Sequence, residues 1–275
     1  MLLSIVKKGN AMDLGLTNKV ALVTGASTGL GRACASALAA EGATVVIASR
    51  KREALEQTAQ EIRQASQSPV LALPTDLRQP AEIIALVERT VDTFGGIDIL
   101  VNNAGGPPAG TFEDLSDDQW QAAFDLTLLS VVRLIRSALP SMRQRPGGRI
   151  IQIVSSSVKQ PIEGLLLSNA LRPGVVGLAK TLSRELAPYQ ITVNNVCPGR
   201  MLTDRLRHGS GVQARMAQGL TEEEALNELT QDIPLGRIGR PEEVGALVAF
   251  LASQQAGYIT GTTLQIDGGL IQSIF

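Results

Sequence analysis

"KVALVTGASTGLGRACASALAAEG", residues 19–42, decides how the chain folds. Val20 to Val23 are an unbroken apolar run ending on Thr24 and Gly25, which reads as a buried strand. From Gly31 onward small and apolar residues recur at helical spacing until Gly42 stops them. Gly25, Gly29 and Gly31 lie between, spaced G-x-x-x-G-x-G. A glycine turn leading into a helix offers free backbone amides and a favourable dipole to an anion such as a pyrophosphate. Glycine also permits the dihedrals and the close backbone approach that this needs. The spacing is not the usual G-x-G-x-x-G, and as a bare pattern it is equally a structural turn. Its place between a first strand and a first helix favours a phosphate cradle formed by Gly25, Ser27, Thr28, Gly29, Leu30 and Gly31.

Outward from that stretch, short apolar runs alternate with longer amphipathic ones. "TVVIAS", "VLALPT", "IDILVNNAG", "RIIQIVSSS", "ITVNNVCPG" and "TLQIDGG" read as six further strands, most of them followed by a helix. Continuous apolar strands separated by helices predict parallel strands covered on both faces. Right-handed crossovers then give an α/β, doubly wound, mostly parallel seven-stranded sheet of the Rossmann type, with ligands at the carboxyl ends of the strands. The expected organisation is a loose extension over residues 1–11 and a single domain over 12–275. Within it, residues 204–232 form a polar lid that has few apolar anchors before "EALNEL" and carries Gly209 and Gly211.

Bulk properties exclude several classes. At 275 residues the chain can bury roughly three quarters of its unfolded surface without disulfide or metal staples. Hydrophobic residues make up 44% and charged residues 19%, as in an ordinary globular protein. A formal net charge of −1 gives no electrostatic case for nucleic acid or a membrane surface. No run reaches the length of a membrane span. Cys34 and Cys197 read as buried small hydrophobes in a reducing, cytoplasmic setting. With one histidine, His208, and no Cys/His cluster, no metal site is expected.

Several motifs in order carry a resemblance. "TGASTGLG" (24–31), "NNAG" (102–105), "CPG" (197–199), "IPLGR" (233–237) and "ITGTTLQIDGG" (259–269) resemble the short-chain dehydrogenase/reductase family, near its 3-oxoacyl-acyl-carrier-protein reductases. The resemblance covers about residues 14–270 and implies a single NAD(P)-binding domain. It also implies a homo-oligomer, tetramer or dimer, acting on a small molecule.

An acidic residue at the end of the second strand would accept hydrogen bonds from the adenosine ribose. Ser49 stands there instead, followed by Arg50. A guanidinium suits a phosphate, so the pair predicts NADP(H), although Arg50 also reads as a solvated charge at a helix start. By resemblance, Asp76 and Leu77 hold the adenine, and Asn102, Asn103, Ala104 and Gly105 line the adenosine side. Pro198, Gly199 and Thr203 reach the nicotinamide carboxamide. Asp76 is otherwise an ordinary turn residue.

At "SNALR", residues 168–172, the chain departs from the family. The resemblance implies an asparagine, a serine, a tyrosine and a lysine acting together: the tyrosine protonates the carbonyl oxygen, and the lysine binds the nicotinamide ribose and lowers the tyrosine pKa. Ser155 falls at the serine position, with Ser156 and Ser157 adjacent and the register open. Ser168 stands for the tyrosine, Arg172 for the lysine and Thr127 for the asparagine. A serine hydroxyl is a far weaker acid than a phenol. Arg172 can hold ribose hydroxyls and face a developing oxyanion, but exchanges protons poorly. Ser168 also reads as a packed helix residue and Arg172 as a structural one, while Pro173 is expected to bend their helix. His208, in the lid, is a candidate replacement acid or incidental.

Three functions are open on these residues. One is an NADP-dependent carbonyl reductase with an altered proton route, in which Ser155, Ser168 and Thr127 hold a water. The second is a catalytically silent NADP-binding protein. The third is reduction of an activated double bond or an imine.

Overall fold

The computed structural model describes residues 13–274, so the expected extension at 1–11 lies outside the described residues. β1 (Val20–Thr24) is buried along its whole length, and the chain turns through the glycines into α1 (Gly29–Ala40). β2 (Thr44–Ser49), α2 (Arg52–Ser66), β3 (Val70–Pro74) and α3 (Pro80–Phe94) follow in strict alternation. The chain then returns beside β1 as β4 (Ile99–Asn102). α4 (Asp117–Phe124) runs through a π-helical turn (Asp125–Leu129) into α5 (Ser130–Met142). Next come β5 (Arg149–Ile153), a short 3₁₀ turn (Ser156–Val158), α6 (Leu166–Glu185) and β6 (Thr192–Pro198). α7 (Asp204–Arg207), α8 (Ser210–Ala217), α9 (Glu222–Glu228), α10 (Pro241–Ala252) and β7 (Thr263–Ile266) complete the chain.

All seven strands pair in parallel in the order β3-β2-β1-β4-β5-β6-β7, which is the doubly wound sheet expected. Because β1 is flanked by β2 on one side and β4 on the other, crossovers leave it in opposite directions. The carboxyl ends of β1 and β4 therefore open a crevice, where such sheets bind ligands.

Helices cover both faces. One core packs Leu38, Ile47, Leu55, Ile99, Val196 and Val248 around α1, α2 and α10. The other packs Leu22, Leu100, Leu134, Met142 and Ile150 around α3, α5 and α6. α1 and α10 meet closely at Gly245, where a Cβ would stand 2.6 Å from the Ala33 carbonyl oxygen. Cys34 and Cys197 are free and buried as expected, and burial pushes their thiols up to about 12 and about 11.

One expectation changes. Residues 204–232 have more apolar anchoring than expected: α7, α8 and α9 close around Val212, Ala225 and Leu229, with Leu206, Leu220 and Leu226 packed against them. The sequence places these six side chains too far apart for a single amphipathic stripe, so only the tertiary fold collects them. α6 runs unbroken from Leu166 to Glu185 with Pro173 inside it, and Asn169, one turn before the proline, bonds both the amide and the carbonyl of Ile162.

Candidate active site

The crevice is built from backbone first. The Thr24 hydroxyl accepts from the Asn103 amide at 3.0 Å and donates to the Asn103 carbonyl at 2.9 Å, tying the ends of β1 and β4 together. The Asn103 side-chain amide donates to the Gly25 carbonyl at 3.0 Å. This leaves no room above the turn: a Cβ on Gly31 would stand 2.2 Å from the Gly25 oxygen and 2.7 Å from Asn103 Nδ2. Gly25 and Gly29 have φ of 58° and 57°, the left-handed region that glycine tolerates. Thr28 precedes α1 without capping it by its side chain, so the first-turn amides around Leu30 are open to an anion. Ser27 anchors the turn from behind, its carbonyl accepting from the Thr58 hydroxyl. A dinucleotide pyrophosphate fits this cradle.

Farther along the crevice, the Ser49 hydroxyl is buried without a hydrogen-bond partner. Arg50 is exposed and makes no ion pair among the described residues. The pair is therefore uncommitted, as a phosphate site requires. Asp76 is less free than expected. Arg78 grips its carboxylate through Nε and Nη2, and this hydrogen bonding, foremost among the causes, holds its pKa below the ordinary value. Leu77 and Ala104 lie on the inner wall of the crevice and Gly105 has open space around its Cα. Asn102 is 3% exposed and lines the same cavity as Leu77, Asn103 and Ala104. Pro198 ends β6, and Gly199 lies so close to Asp267 that a Cβ would meet its side chain at 2.7 Å. Thr203 caps α7 and reaches back to the glycine turn, its Cγ2 3.4 Å from where a Gly29 Cβ would be.

Thr127, Ser155, Ser168 and Arg172, the expected catalytic positions, lie near the ends of β4 and β5. Thr127 sits in the middle of the π turn, 4% exposed, with its hydroxyl unpaired. Such turns are short irregularities often found at functional sites. Ser155 is not joined to Ser168; its hydroxyl accepts from the Ser157 amide at 3.1 Å. The hydroxyl that meets Ser168 is that of Ser157, at 3.0 Å, in a buried pair. One turn further along α6, Arg172 extends Nη1 to the Ile153 carbonyl at 3.2 Å. Burial first, and then the neighbouring Arg205 charge, push the Arg172 guanidinium down to about 10. His208 is exposed and its Nδ1 donates to the Asp204 carbonyl of its own turn at 2.9 Å, which keeps that nitrogen in local use.

Sequence reasoning missed Gln152 and Arg205, and it named Ser157 only as a neighbour of Ser155 in an open register. Arg205 spans from α7 to the loop after β4, donating to the Gly106 and Pro107 carbonyls at 3.0 Å each. Gln152 carried a legible signal, as a lone polar residue inside the apolar run "RIIQIV". Arg205 carried none, since an arginine in a polar segment looks like ordinary surface chemistry.

Fold and crevice together define a Rossmann-type dinucleotide-binding protein. A family model described as enoyl-(acyl carrier protein) reductase matches residues 25–271. A putative ketoacyl reductase of the monensin polyketide synthase from Streptomyces virginiae is 41% identical, over 92% of this chain and 97% of its own. A 3-oxoacyl-[acyl-carrier-protein] reductase of Vibrio cholerae is 36% identical, over 94% and 99%. Among solved structures, L-sorbose reductase from Gluconobacter frateurii, complexed with NADPH and L-sorbose, superposes with a TM-score of 0.92 at 33% identity, covering 96% of this chain and 100% of that one. The chain belongs to the short-chain dehydrogenase/reductase family, a family of oxidoreductases.

Proposed function

We propose that the protein is an NADP(H)-dependent reductase of a carbonyl, 3-oxoacyl-like or another ketone, that obtains its proton by a route without a tyrosine. The observation that carries this reading is that Arg172 and Thr127 line one cavity with Thr24 and Asn103 of the cradle frame, while the Ser157–Ser168 hydroxyl pair lies one turn of α6 before Arg172. NADPH, when bound, supplies the hydride. The cradle amides hold the pyrophosphate, and Ser49 with Arg50 receives the 2′-phosphate. Arg172 holds the nicotinamide ribose and faces the oxygen that gains negative charge as the carbonyl carbon is reduced. Ser155, Ser157 and Ser168, with Thr127, orient the carbonyl and a water, which gives a proton to the forming alkoxide while solvent restores it. A missing general acid costs roughly 10²- to 10⁴-fold. Holding donor and acceptor together is worth roughly 7–11 kcal/mol, and that part of the machinery is kept.

A silent NADP-binding protein is the second reading, supported by a complete cradle beside a site with no phenol. Reduction of an activated double bond needs the same hydride, and the matching family description names an enoyl substrate. The test is NADPH oxidation across ketones, 3-oxoacyl thioesters, enones and imines. Turnover of a carbonyl supports the reductase. NADPH binding with no turnover of any compound supports the silent binder, and activity confined to enones or imines supports the third reading.

A homo-oligomer, expected from the resemblance, is likewise proposed, with Leu235 and Tyr258 exposed at 67% and 103% as apolar surface available to a second copy. No helix among the described residues is long and apolar enough to cross a membrane.

A further inference from the structure

Arg205 leans from α7 onto the loop after β4, where its Nη1 donates to the Gly106 carbonyl and its Nη2 to the Pro107 carbonyl. The guanidinium lies directly against Gly106: a Cβ on that glycine would stand 2.3 Å from Nη2 and 2.5 Å from Cζ. Any larger residue at 106 would push the arginine away. The other arginines from residue 200 to 237 all have carboxylate partners. Arg200 pairs with Asp232, Arg207 with Glu222, Arg215 with Glu228 and Arg237 with Glu243. Among the described residues Arg205 has no such partner, and Asp204 beside it in the chain is exposed and in no ion pair. The charge that Arg205 does meet is positive. Arg172 is likewise without an ion pair among the described residues, and after burial it is Arg205 that lowers its pKa. Arg172 lines the crevice with Asn103 and Ala104, and Gly106 follows two residues on, so both cations border the same stretch of it.

Like charges held close and partly out of water destabilise each other, and an anion beside them relieves this. An arginine has five N–H donors, of which Gly106 and Pro107 take two here, and the rest have no protein acceptor among the described residues. A guanidinium suits carboxylate and phosphate oxygens through paired, charge-assisted hydrogen bonds. We propose that Arg205 recognises an oxyanion on the substrate, so that the ketone reduced is an anionic one, a keto acid or a phosphorylated ketone. Its carbonyl lies toward Arg172 and its oxyanion toward Arg205. A neutral ketone leaves the charge of Arg205 unanswered. The competing anion is the cofactor pyrophosphate, because Thr203, two residues earlier, reaches the glycine turn. The Arg205 guanidinium, however, is fastened to the loop after β4 and not to that turn. The consequence for turnover rests on the reductase reading, whereas recognition of the oxyanion does not.

The experiment uses the full chain with NADP⁺ bound, so that no hydride is available and calorimetry reads binding alone. The probes are pyruvate and levulinate with their methyl esters, and dihydroxyacetone phosphate with dihydroxyacetone. Wild type is expected to bind at least one anion about tenfold more tightly than its neutral counterpart, the low end for a charge-assisted hydrogen bond at a solvent-reached site. Added chloride should shrink that gap. The carboxylate and phosphate arms show which oxyanion is read. Arg205→Met is expected to abolish the preference and to leave the affinities for neutral ketone and NADP⁺ little changed, while Arg205→Lys keeps part of the preference. Absence of any preference for anions in wild type would overturn the proposal. So would an Arg205→Met variant that weakens anionic and neutral ketones alike, which makes the residue only a tie between α7 and the loop. A variant that weakens NADP⁺ together with the anions would assign Arg205 to the pyrophosphate and also overturn it. Should Arg205→Met not fold, the wild-type preference and its salt dependence decide. NADPH oxidation by the same compounds is read separately: anion-selective binding without turnover fails the reductase reading and leaves the oxyanion site standing.

Discussion

The Ser157 hydroxyl lies 3.0 Å from the Ser168 hydroxyl, in a place closed to solvent. Two short side chains thus meet at the position where the family resemblance implies a phenol. One hydroxyl donates to the other, so each has a partner inside the protein. The pair also fixes which neighbour any replacement at 168 would meet, and that neighbour is Ser157 rather than Ser155.

The glycine cradle makes the most direct prediction. Gly31→Ala places a Cβ against the Gly25 carbonyl and the Asn103 amide, both parts of the frame that shapes the turn. NADPH binding is expected to weaken by about 5- to 150-fold, since overpacking of this kind costs about 1–3 kcal/mol. Gly177→Ala is the control, because nothing lies within 4 Å of its added methyl in α6. Calorimetric titration of both variants checks this. Equal affinities would mean that the turn does not cradle the pyrophosphate.

Cofactor choice rests on Ser49 and Arg50. NADP(H) is expected to bind more tightly than NAD(H), and Arg50→Ala to narrow the gap. Arg50 is exposed, so solvent screening keeps the loss near the low end of a charge-assisted hydrogen bond, ~1.5 kcal/mol. Titrating wild type and variant with both cofactors reads it. Equal wild-type affinity for the two would remove the argument.

Residues 204–229 have their own small core, and protection across them should be uneven. α8 and α9 share Val212, Ala225 and Leu229, whereas α7 is held to the loop after β4 by Arg205. Hydrogen exchange is expected to be faster over residues 204–209 than over 222–229, and slower throughout when NADPH is bound. Arg205→Ala should speed exchange in 204–209 and leave the sheet unchanged. Uniform exchange across 204–232 that ignores NADPH would argue against a lid.

Arg172 gives a pH prediction. Burial, then Arg205, lower its guanidinium to about 10, so it stays cationic below that pH. NADPH affinity is expected to be flat from about pH 6 to 9 and to fall as pH rises through about 10. Arg172→Met should lack that limb. For stability the sign is opposite: below about 10 folding carries a constant cost for the buried charge. From about 10 up to the ordinary arginine range the folded form binds fewer protons than the unfolded, and the cost is relieved. An acid limb in kcat that vanishes in His208→Ala would instead assign proton transfer to the lid.

The fold was legible because its signals are local. An apolar run bounded by glycine is a strand whatever surrounds it, and strand-helix alternation leaves few topologies. The cradle was legible for the same reason: glycine at 25, 29 and 31 has meaning within one short turn of sequence. The interior of the site was not. Asn102, Thr127, Gln152 and Arg172 come from four separate elements, and only parallel pairing of β4 with β5 brings the two amides together. Leu206, Val212 and Leu220 escaped notice likewise, each being an ordinary apolar residue in a polar segment until it packs with Ala225 and Leu229.

The last prediction concerns "SNALR" and follows from the Ser157–Ser168 contact. If Ser168, Arg172 and Thr127 stand where the family has tyrosine, lysine and asparagine, then Ser168→Tyr, Arg172→Lys and Thr127→Asn together should raise ketone reduction. The gain is roughly 10²-fold or more if the general-acid contribution returns. Ser168→Tyr alone should gain much less, because residues acting as a unit are not additive. Ser157 sets a further condition: its hydroxyl occupies the space beside Ser168, so the new ring must displace it. Adding Ser157→Ala to the triple variant opens that space and should raise the rate again, whereas in wild type it leaves the Ser168 hydroxyl unpaired and should lower whatever activity exists. Steady-state ketone reduction by wild type, Ser168→Tyr, the triple variant and the triple variant with Ser157→Ala tests the whole argument. A triple variant that binds NADPH normally yet is no faster than wild type, with or without Ser157→Ala, would show that these three positions do not hold the proton route.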